Sequence, residues 1–166
     1  MATKENLQEA FAGESQANRL YLAFAEKAAA DGYPQVAKLF RAAAAAETVH
    51  AHNHLRAMGG IKDTAENLET AIEGEGHEFQ HMYPGFLAEA EKAGEQRAAF
   101  TFRYAMAVEE VHHGLYGKAL ATVKAGKDMD ATPIFVCGGC GHTVLGEAPD
   151  KCPICGAPKQ RFSEIK

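Results

Sequence analysis

The sequence lacks two features that would each indicate a particular class of protein. Basic side chains are not in excess, because 17 lysines and arginines stand against 22 aspartates and glutamates, and the formal net charge is -5. This balance argues against a large nucleic-acid interface. No apolar run reaches the length of about 18 residues that a membrane span needs, and the start MATKENLQEAF lacks the basic-then-apolar order of a signal peptide. We therefore expect a soluble cytoplasmic protein that binds neither nucleic acid nor membranes.

Cysteine is absent from most of the chain and occurs only near its end. The four cysteines form two Cys-x-x-Cys pairs, each followed by glycine, and they are Cys137, Cys140, Cys152 and Cys155. Such a pair forms a tight knuckle that turns both sulfurs inward, and two facing knuckles make a tetrahedral four-sulfur metal site. A rubredoxin-type iron and a structural zinc ribbon use the same ligands, so the pattern predicts a metal without choosing between them.

Upstream of the cysteines, apolar residues recur at alternating steps of four and three, as they do on one face of a helix. The pattern predicts four long helices, at residues 4–30, 34–58, 64–93 and 95–125. Pro84 lies inside the third helix and should kink it, because proline removes the hydrogen bond to the carbonyl of Gln80. Four helices with alanine-rich faces and short connections favour an all-α four-helix bundle.

The composition changes near Gly126, where a linker leads into a stretch rich in glycine, turns and β-branched residues. This second segment is too short to be stabilised by burial alone and needs a metal. We therefore predict two domains, a helical bundle at residues 1–130 and a small metal-binding domain at residues 131–166.

A weak internal repeat with an offset of 62 residues relates the two halves of the helical region. The matched pairs include Tyr21 with Tyr83, Phe24 with Phe86, Phe40 with Phe102, Glu47 with Glu109, and His50 with His112. The repeat predicts two helix hairpins related by a pseudo-two-fold axis.

Carboxylates and imidazoles interrupt the apolar helix faces where leucines would be expected. These residues are Glu14, Glu47, His50, Glu75, Glu78, Glu109 and His112. Glutamate at i and histidine at i+3 lie on one helix face, and two such motifs plus glutamates from the other helices form the ligand set of a di-iron site in a bundle. Buried carboxylates without a partner would be costly, and two divalent cations remove that cost. Iron or manganese suits these ligands, and zinc is possible. Tyr21 and Tyr83 flank the carboxylates and are candidates for hydrogen bonds to them.

With these motifs identified, the chain resembles the rubrerythrin family over nearly its whole length. The stretches that carry the resemblance are GESQANRLYLAFAEKA, AETVHAHNHLRAMG, IEGEGHEFQHMYPGFLAEAEKAG, AVEEVHHGLYGKAL and the two-knuckle tail. The resemblance implies a ferritin-like di-iron bundle joined to a rubredoxin-like domain that holds one iron on four cysteines. It implies the seven carboxylate and histidine residues as di-iron ligands, with Glu78 and His50 exchanging at one iron when it is reduced.

The same resemblance implies a peroxidase that reduces hydrogen peroxide to water in defence against oxidative stress. The expected partners are hydrogen peroxide and an electron-donating reductase or rubredoxin, and a homodimer is expected. Zinc could replace iron in the isolated protein. Two alternatives stay open: a ferroxidase or iron-handling protein of ferritin type, and a non-enzymatic metal-binding sensor with a zinc ribbon.

Overall fold

The helical region begins near the N-terminus in the computed structural model, which describes residues 2–166. Its helices are α1 (Ala2–Ala30), α2 (Pro34–Ala57), α3 (Thr64–His77), α4 (Tyr83–Ala93) and α5 (Gln96–Lys124). Because α3 and α4 follow each other through a single turn, the chain has four long helical segments, as predicted. Met1, the first residue of the predicted bundle domain, lies outside the described residues. No helix of residues 2–166 is both long and apolar enough to cross a membrane.

Local signals in the sequence explain where these helices begin and end. Pro34 is in the first turn of α2, where its missing N–H is not needed. The Asp63 carboxylate accepts a hydrogen bond of 2.9 Å from the backbone N–H of Glu66 and so caps the start of α3, as the sequence predicts. Gly94 ends α4 in a left-handed conformation with φ of 74°, which glycine adopts without steric cost.

The predicted kink at Pro84 takes the form of a π-helical turn. Residues Glu78–Met82 form this turn between α3 and α4, and the backbone N–H of Tyr83 bonds to the carbonyl of Glu78. A proline in the first turn of α4 cannot donate to the preceding turn, so the hydrogen-bond pattern shifts by one residue. Turns of this kind often occur at functional sites, and this one begins at a predicted ligand.

The chain divides into two compact units, the first ending at Lys62 and the second running from Asp63 to Lys166. In the first unit α1 packs along α2. Ala37, Ala44 and Ala51, spaced seven residues apart on one face of α2, are buried. The Asn18 amide of α1 donates to the Ala44 carbonyl at 2.6 Å and to the Thr48 hydroxyl at 2.9 Å. Small side chains allow close approach, and these bonds set the alignment of α1 against α2.

Each unit contains an aromatic cluster of the same composition and the same spacing between ring centroids. In the first unit the ring centroids of Tyr21, Phe24 and Phe40 are 6.4, 6.2 and 5.6 Å apart. In the second unit Tyr83, Phe86 and Phe102 repeat these distances at 6.4, 6.2 and 5.6 Å. The six residues match at the offset of 62, so the internal repeat is a repeat of structure as well as sequence.

In the second unit α3 and α4 pack against α5, and the chain then enters a small antiparallel sheet. Its strands are β1 (Ile134–Cys137), β2 (Thr143–Leu145) and β3 (Phe162–Glu164), in the order β2-β1-β3. The buried core of this part consists of Cys137, Ala148, Cys152 and Phe162. Long helical segments followed by a small sheet with a cysteine-rich core confirm the predicted fold class. The domain boundary near residue 130 stays a prediction.

Candidate metal centres

The first unit brings together three of the predicted ligands, Glu14 from α1 and Glu47 and His50 from α2. Their donor atoms all lie within 4.8 Å of one another. Nδ1 of His50 is 2.9 Å from Oε2 of Glu47 and 3.9 Å from Oε1 of Glu14. The spacing of three residues on α2 places this carboxylate and imidazole on one face, as expected.

The second unit brings together the three equivalent ligands, Glu75 from α3 and Glu109 and His112 from α5. These donor atoms again lie within 4.8 Å of one another. Nδ1 of His112 is 2.8 Å from Oε2 of Glu109 and 3.6 Å from Oε1 of Glu75. The two sets therefore have the same composition and nearly the same geometry.

The charges in the second set repel one another. Burial, the charge of Glu109 and a hydrogen bond with it, and the charge of Glu78 together raise the pKa of Glu75 from 4.5 to about 7. Burial and the charges of Glu78, Glu109 and Glu75 also raise the pKa of Tyr83 above its ordinary value of 10.0. Clustered carboxylates with an imidazole need a proton or a cation between them.

The donor chemistry of both sets fits a hard divalent cation. Each set offers two carboxylate oxygens and one imidazole nitrogen, the ligand types that suit iron, manganese or zinc. A cation would take the place of the proton that Glu75 holds in its hydrogen bond with Glu109, and it would neutralise both carboxylates. Each set by itself thus offers three donors to one such cation.

The structure does not place every predicted site residue in these sets. Glu78 begins the π-helical turn and lies near enough to Glu75 and Tyr83 to influence both, but it is not one of the clustered donors. The hydroxyls of Tyr21 and Tyr83 make no hydrogen bond to a site glutamate within residues 2–166. Tyr83 is nonetheless beside the carboxylates of its own unit. The predicted roles of these three residues stay predictions.

The four cysteines converge in the tail as the spacing predicts. Their sulfurs lie within 4.8 Å of one another, with 3.7 Å between Cys137 and Cys155 and 3.5 Å between Cys140 and Cys152. A tetrahedron with metal–sulfur bonds of about 2.3 Å has edges of about 3.8 Å, so one ion fits at the centre. A Cβ added at Gly139 would lie 3.2 Å from the sulfur of Cys155, so this glycine keeps the position clear.

Backbone N–H groups point at these sulfurs. The N–H of Gly139 donates to Cys137 at 3.4 Å, and that of His142 donates to Cys140. Burial raises the pKa of the Cys140 thiol well above its usual range, whereas N–H bonds outweigh burial at Cys152 and lower its pKa to about 7. Such bonds stabilise thiolates, and the arrangement suits a metal centre in either knuckle-type fold.

The first knuckle also contacts α5 within the second unit. Nε2 of His112 lies 2.9 Å from the hydroxyl oxygen of Thr143, the first residue of β2. A Cβ at Gly141 would come 3.8 Å from Val108, which is buried. His142, between these two residues, is itself buried, and burial together with the His112 imidazole lowers its pKa. The predicted ligand His112 therefore lies against the loop that holds Cys140.

Thr143 and His142 are not among the predicted site residues. His142 follows the first cysteine pair and is 9% exposed. A threonine in a strand carries no pattern that distinguishes it from any other strand residue. Only the packing of the tail on α5 identifies these two residues.

Comparison with known protein families agrees with this geometry. The family model "Rubrerythrin" matches residues 5–120, and the model "Rubrerythrin, rubredoxin-like domain" matches residues 135–163. The chain belongs to the rubrerythrin family. Its two matched regions are the helical segments with the carboxylate–imidazole sets and the tail with the four cysteines.

Individual rubrerythrin relatives cover almost the whole chain. Rubrerythrin-2 of Clostridium acetobutylicum is 36% identical over 96% of this chain and 95% of its own length. Nigerythrin of Nitratidesulfovibrio vulgaris is 35% identical over 98% of this chain and 86% of its own. A solved structure titled as fully reduced, all-ferrous nigerythrin is similar with a TM-score of 0.59 at 34% identity, over 98% of this chain and 86% of that one.

Membership of the rubrerythrin family, together with the three donor clusters, supports two kinds of metal site. One is a di-iron site in the helical region, and the other is a rubredoxin-like site on the four cysteines. The protein is thus a di-iron protein of the rubrerythrin type, a family of oxidoreductases.

Proposed function

We propose that this protein is a peroxidase that reduces hydrogen peroxide to two molecules of water. The observation that carries the proposal is the hydrogen bond of 2.9 Å between the His112 imidazole and Thr143 of the cysteine-rich tail. It connects a predicted ligand of the di-iron site to the domain that would deliver electrons. Iron storage needs no such connection, so the contact favours a redox enzyme over a ferritin-type protein.

We assign the metal ligands by cluster. Glu14, Glu47 and His50 would hold one iron, and Glu75, Glu109 and His112 would hold the other. Bound iron would supply the two electrons and the Lewis acidity with which the peroxide O–O bond is broken. The four cysteines Cys137, Cys140, Cys152 and Cys155 would hold a third iron, which would supply one-electron redox chemistry to the domain.

The reaction also consumes two protons, and the second unit offers a group to handle them. Burial and the charges of Glu78, Glu109 and Glu75 raise the pKa of Tyr83, which places its protonated phenol beside the carboxylates, where the hydroxyl can donate a hydrogen bond or a proton. Tyr21 occupies the matching position of the repeat and is proposed to act in the same way in the first unit.

Ligand exchange is proposed at Glu78 and His50, as the family resemblance implies. Glu78 lies outside the clustered donors and begins a π-helical turn. The side chain of His50 is 52% exposed, against 25% for His112. Both features support residues that change position with oxidation state, while His112 keeps its place.

We propose a cytoplasmic homodimer that accepts electrons from a reductase or a rubredoxin, with the helical domain at residues 1–130 and the rubredoxin-like domain at residues 131–166. Zinc could replace iron at one site in the isolated protein, because the same ligands bind both metals.

Metal analysis, visible spectra and anaerobic kinetics together test the function. The proposal predicts about three irons per chain from the three ligand clusters, and a red colour that bleaches on reduction. The reduced protein, mixed without air with hydrogen peroxide or with dioxygen, should be reoxidised faster by peroxide. Indifference to peroxide would defeat the peroxidase assignment, and a colourless tail that binds only zinc would defeat the electron relay.

A further inference from the structure

The contact between Thr143 and His112 determines more than the position of the tail. Thr143 is 31 residues beyond His112 in sequence, and its hydroxyl oxygen lies 2.9 Å from Nε2 of that imidazole. Both side chains are partly buried. The bond is therefore a specific, partly water-excluded contact between β2 and α5.

The direction of this hydrogen bond follows from the second bond of the threonine. The Thr143 hydroxyl donates its single proton to the carbonyl of Gly141 at 3.2 Å. Its oxygen must then accept toward His112, which requires that Nε2 of the imidazole carry a proton. Nδ1 lies 2.8 Å from a carboxylate oxygen of Glu109 and 3.6 Å from one of Glu75, so a proton or a cation must lie between this nitrogen and the carboxylates.

That orientation is the one a metal ligand needs. Nδ1 of His112 and the carboxylate oxygens of Glu75 and Glu109 form a set of converging lone-pair donors. Ligating histidines typically donate their other N–H to a hydrogen-bond acceptor, which sets the tautomer and the ring orientation. Here the acceptor comes from the cysteine-rich tail and not from a helix of the bundle.

The equivalent histidine of the first unit has no such support. Nδ1 of His50 faces Glu47 and Glu14 in the same way, but its Nε2 makes no hydrogen bond within residues 2–166. The repeat therefore has one imidazole with contacts at both ring nitrogens and one with contacts at Nδ1 alone among residues 2–166. The difference arises because the chain contains one tail, and in the structure that tail contacts α5.

We propose that Thr143 is a positioning residue that holds His112 in the Nε2–H tautomer and so strengthens metal binding by Glu75, Glu109 and His112. This inference rests on the proposed role of His112 as a ligand. It adds that the cysteine-rich domain prepares the second-unit metal site as well as supplying electrons. A metal should enter this set before the set that contains His50.

Three variants test the role of the hydroxyl. Thr143→Val keeps the shape and removes the acceptor, whereas Thr143→Ser keeps the hydroxyl. Thr122→Val is the matched control, because Thr122 lies on α5 and its hydroxyl donates to the Lys118 carbonyl one turn earlier in the same helix. All are prepared in full-length protein with zinc on the four cysteines, and one zinc per chain confirms that the tail is folded.

The first measurement is ¹⁵N NMR of the His112 ring, with the helical sites free of metal. The wild type, Thr143→Ser and Thr122→Val should show a proton on Nε2, and Thr143→Val should show Nε2 without a proton in part of the population. An Nε2 without a proton in the wild type would overturn the inference whatever the protein catalyses.

The second measurement is a titration with Co²⁺, followed by visible absorption. Thr143→Val should bind the first equivalent about tenfold more weakly, the loss typical of a removed second-sphere bond, while Thr143→Ser and the control match the wild type. Equal affinity of Thr143→Val and wild type would refute the positioning role and leave the proposed di-metal site intact. Absence of Co²⁺ binding to the wild-type helices would instead refute that site.

Discussion

Replacing Glu75 with glutamine should stabilise the metal-free protein at pH 8 and destabilise the metal-loaded protein. Without metal the pKa of Glu75 is raised to about 7, mainly by burial and by Glu109. The folded state then binds the proton more tightly than the unfolded state. Stability from this group is complete below pH 4.5 and is lost as the pH rises through about 7. Glutamine stays neutral and can still donate a hydrogen bond to Glu109.

The size of the effect follows from the shift in pKa. A rise from 4.5 to about 7 corresponds to an upper limit of about 3.4 kcal/mol. The Glu75 side chain is 19% exposed, and solvent screening reduces the difference to about 1–2 kcal/mol. For a chain of this size that equals a rise in melting temperature of about 3–6 °C. At pH 5 wild type and Glu75→Gln should melt at similar temperatures.

Thermal unfolding followed by circular dichroism at pH 5 and pH 8, with chelator and with Fe²⁺ under anaerobic conditions, measures the effect. Glu73→Gln is the control, because Glu73 is an exposed carboxylate on the same helix. Addition of Fe²⁺ should reverse the order at pH 8, since glutamine is a poorer ligand than a carboxylate. The same melting difference at both pH values, or no reversal with metal, would refute the assignment of Glu75 to a carboxylate cluster.

Three further perturbations test other parts of the molecule. Glu78→Ala should slow peroxide turnover at least tenfold and shift the di-iron midpoint potential, because a mobile ligand is lost. Stopped-flow kinetics and a redox titration measure these two quantities, and unchanged values would rule out ligand exchange at Glu78. Tyr83→Phe should leave iron content unchanged and slow turnover by about 10–100-fold if the phenol donates a proton; full activity would remove Tyr83 from the mechanism. Gly139→Ala should weaken metal binding by the four cysteines and alter the visible spectrum of that metal centre, since the added Cβ would lie 3.2 Å from the sulfur of Cys155. Gly117→Ala, at an open position on α5, is the control and should change neither the metal affinity nor the spectrum.

Much of the architecture could be read from short-range sequence patterns. The bounds of the helical segments follow from apolar periodicity and from local signals such as the Asp63 cap at the start of α3 and Gly94 at the end of α4. The effects of these signals depend on neighbouring residues alone. The two Glu-x-x-His motifs needed only the pitch of a helix to place carboxylate and imidazole together. The cysteine site likewise required only knuckle geometry and the spacing of its two pairs. For this reason the fold class and the family were predictable without coordinates.

Other features depend on contacts between residues distant in sequence. The π-helical turn at Glu78–Met82 is a response of the whole segment to Pro84, and a kink was the most that the sequence indicated. The high pKa of Glu75 depends on how closely α5 brings Glu109 to it.

The same division separates the two histidines of the repeat. The sequence by itself determined that His50 and His112 are equivalent ligand candidates, because a helical repeat places them identically. The tertiary structure decided that they differ. The cysteine-rich tail packs on α5 and places the Thr143 hydroxyl 2.9 Å from Nε2 of His112. A hydrogen bond between residues 31 positions apart depends on how β2 packs against α5, which no local pattern encodes.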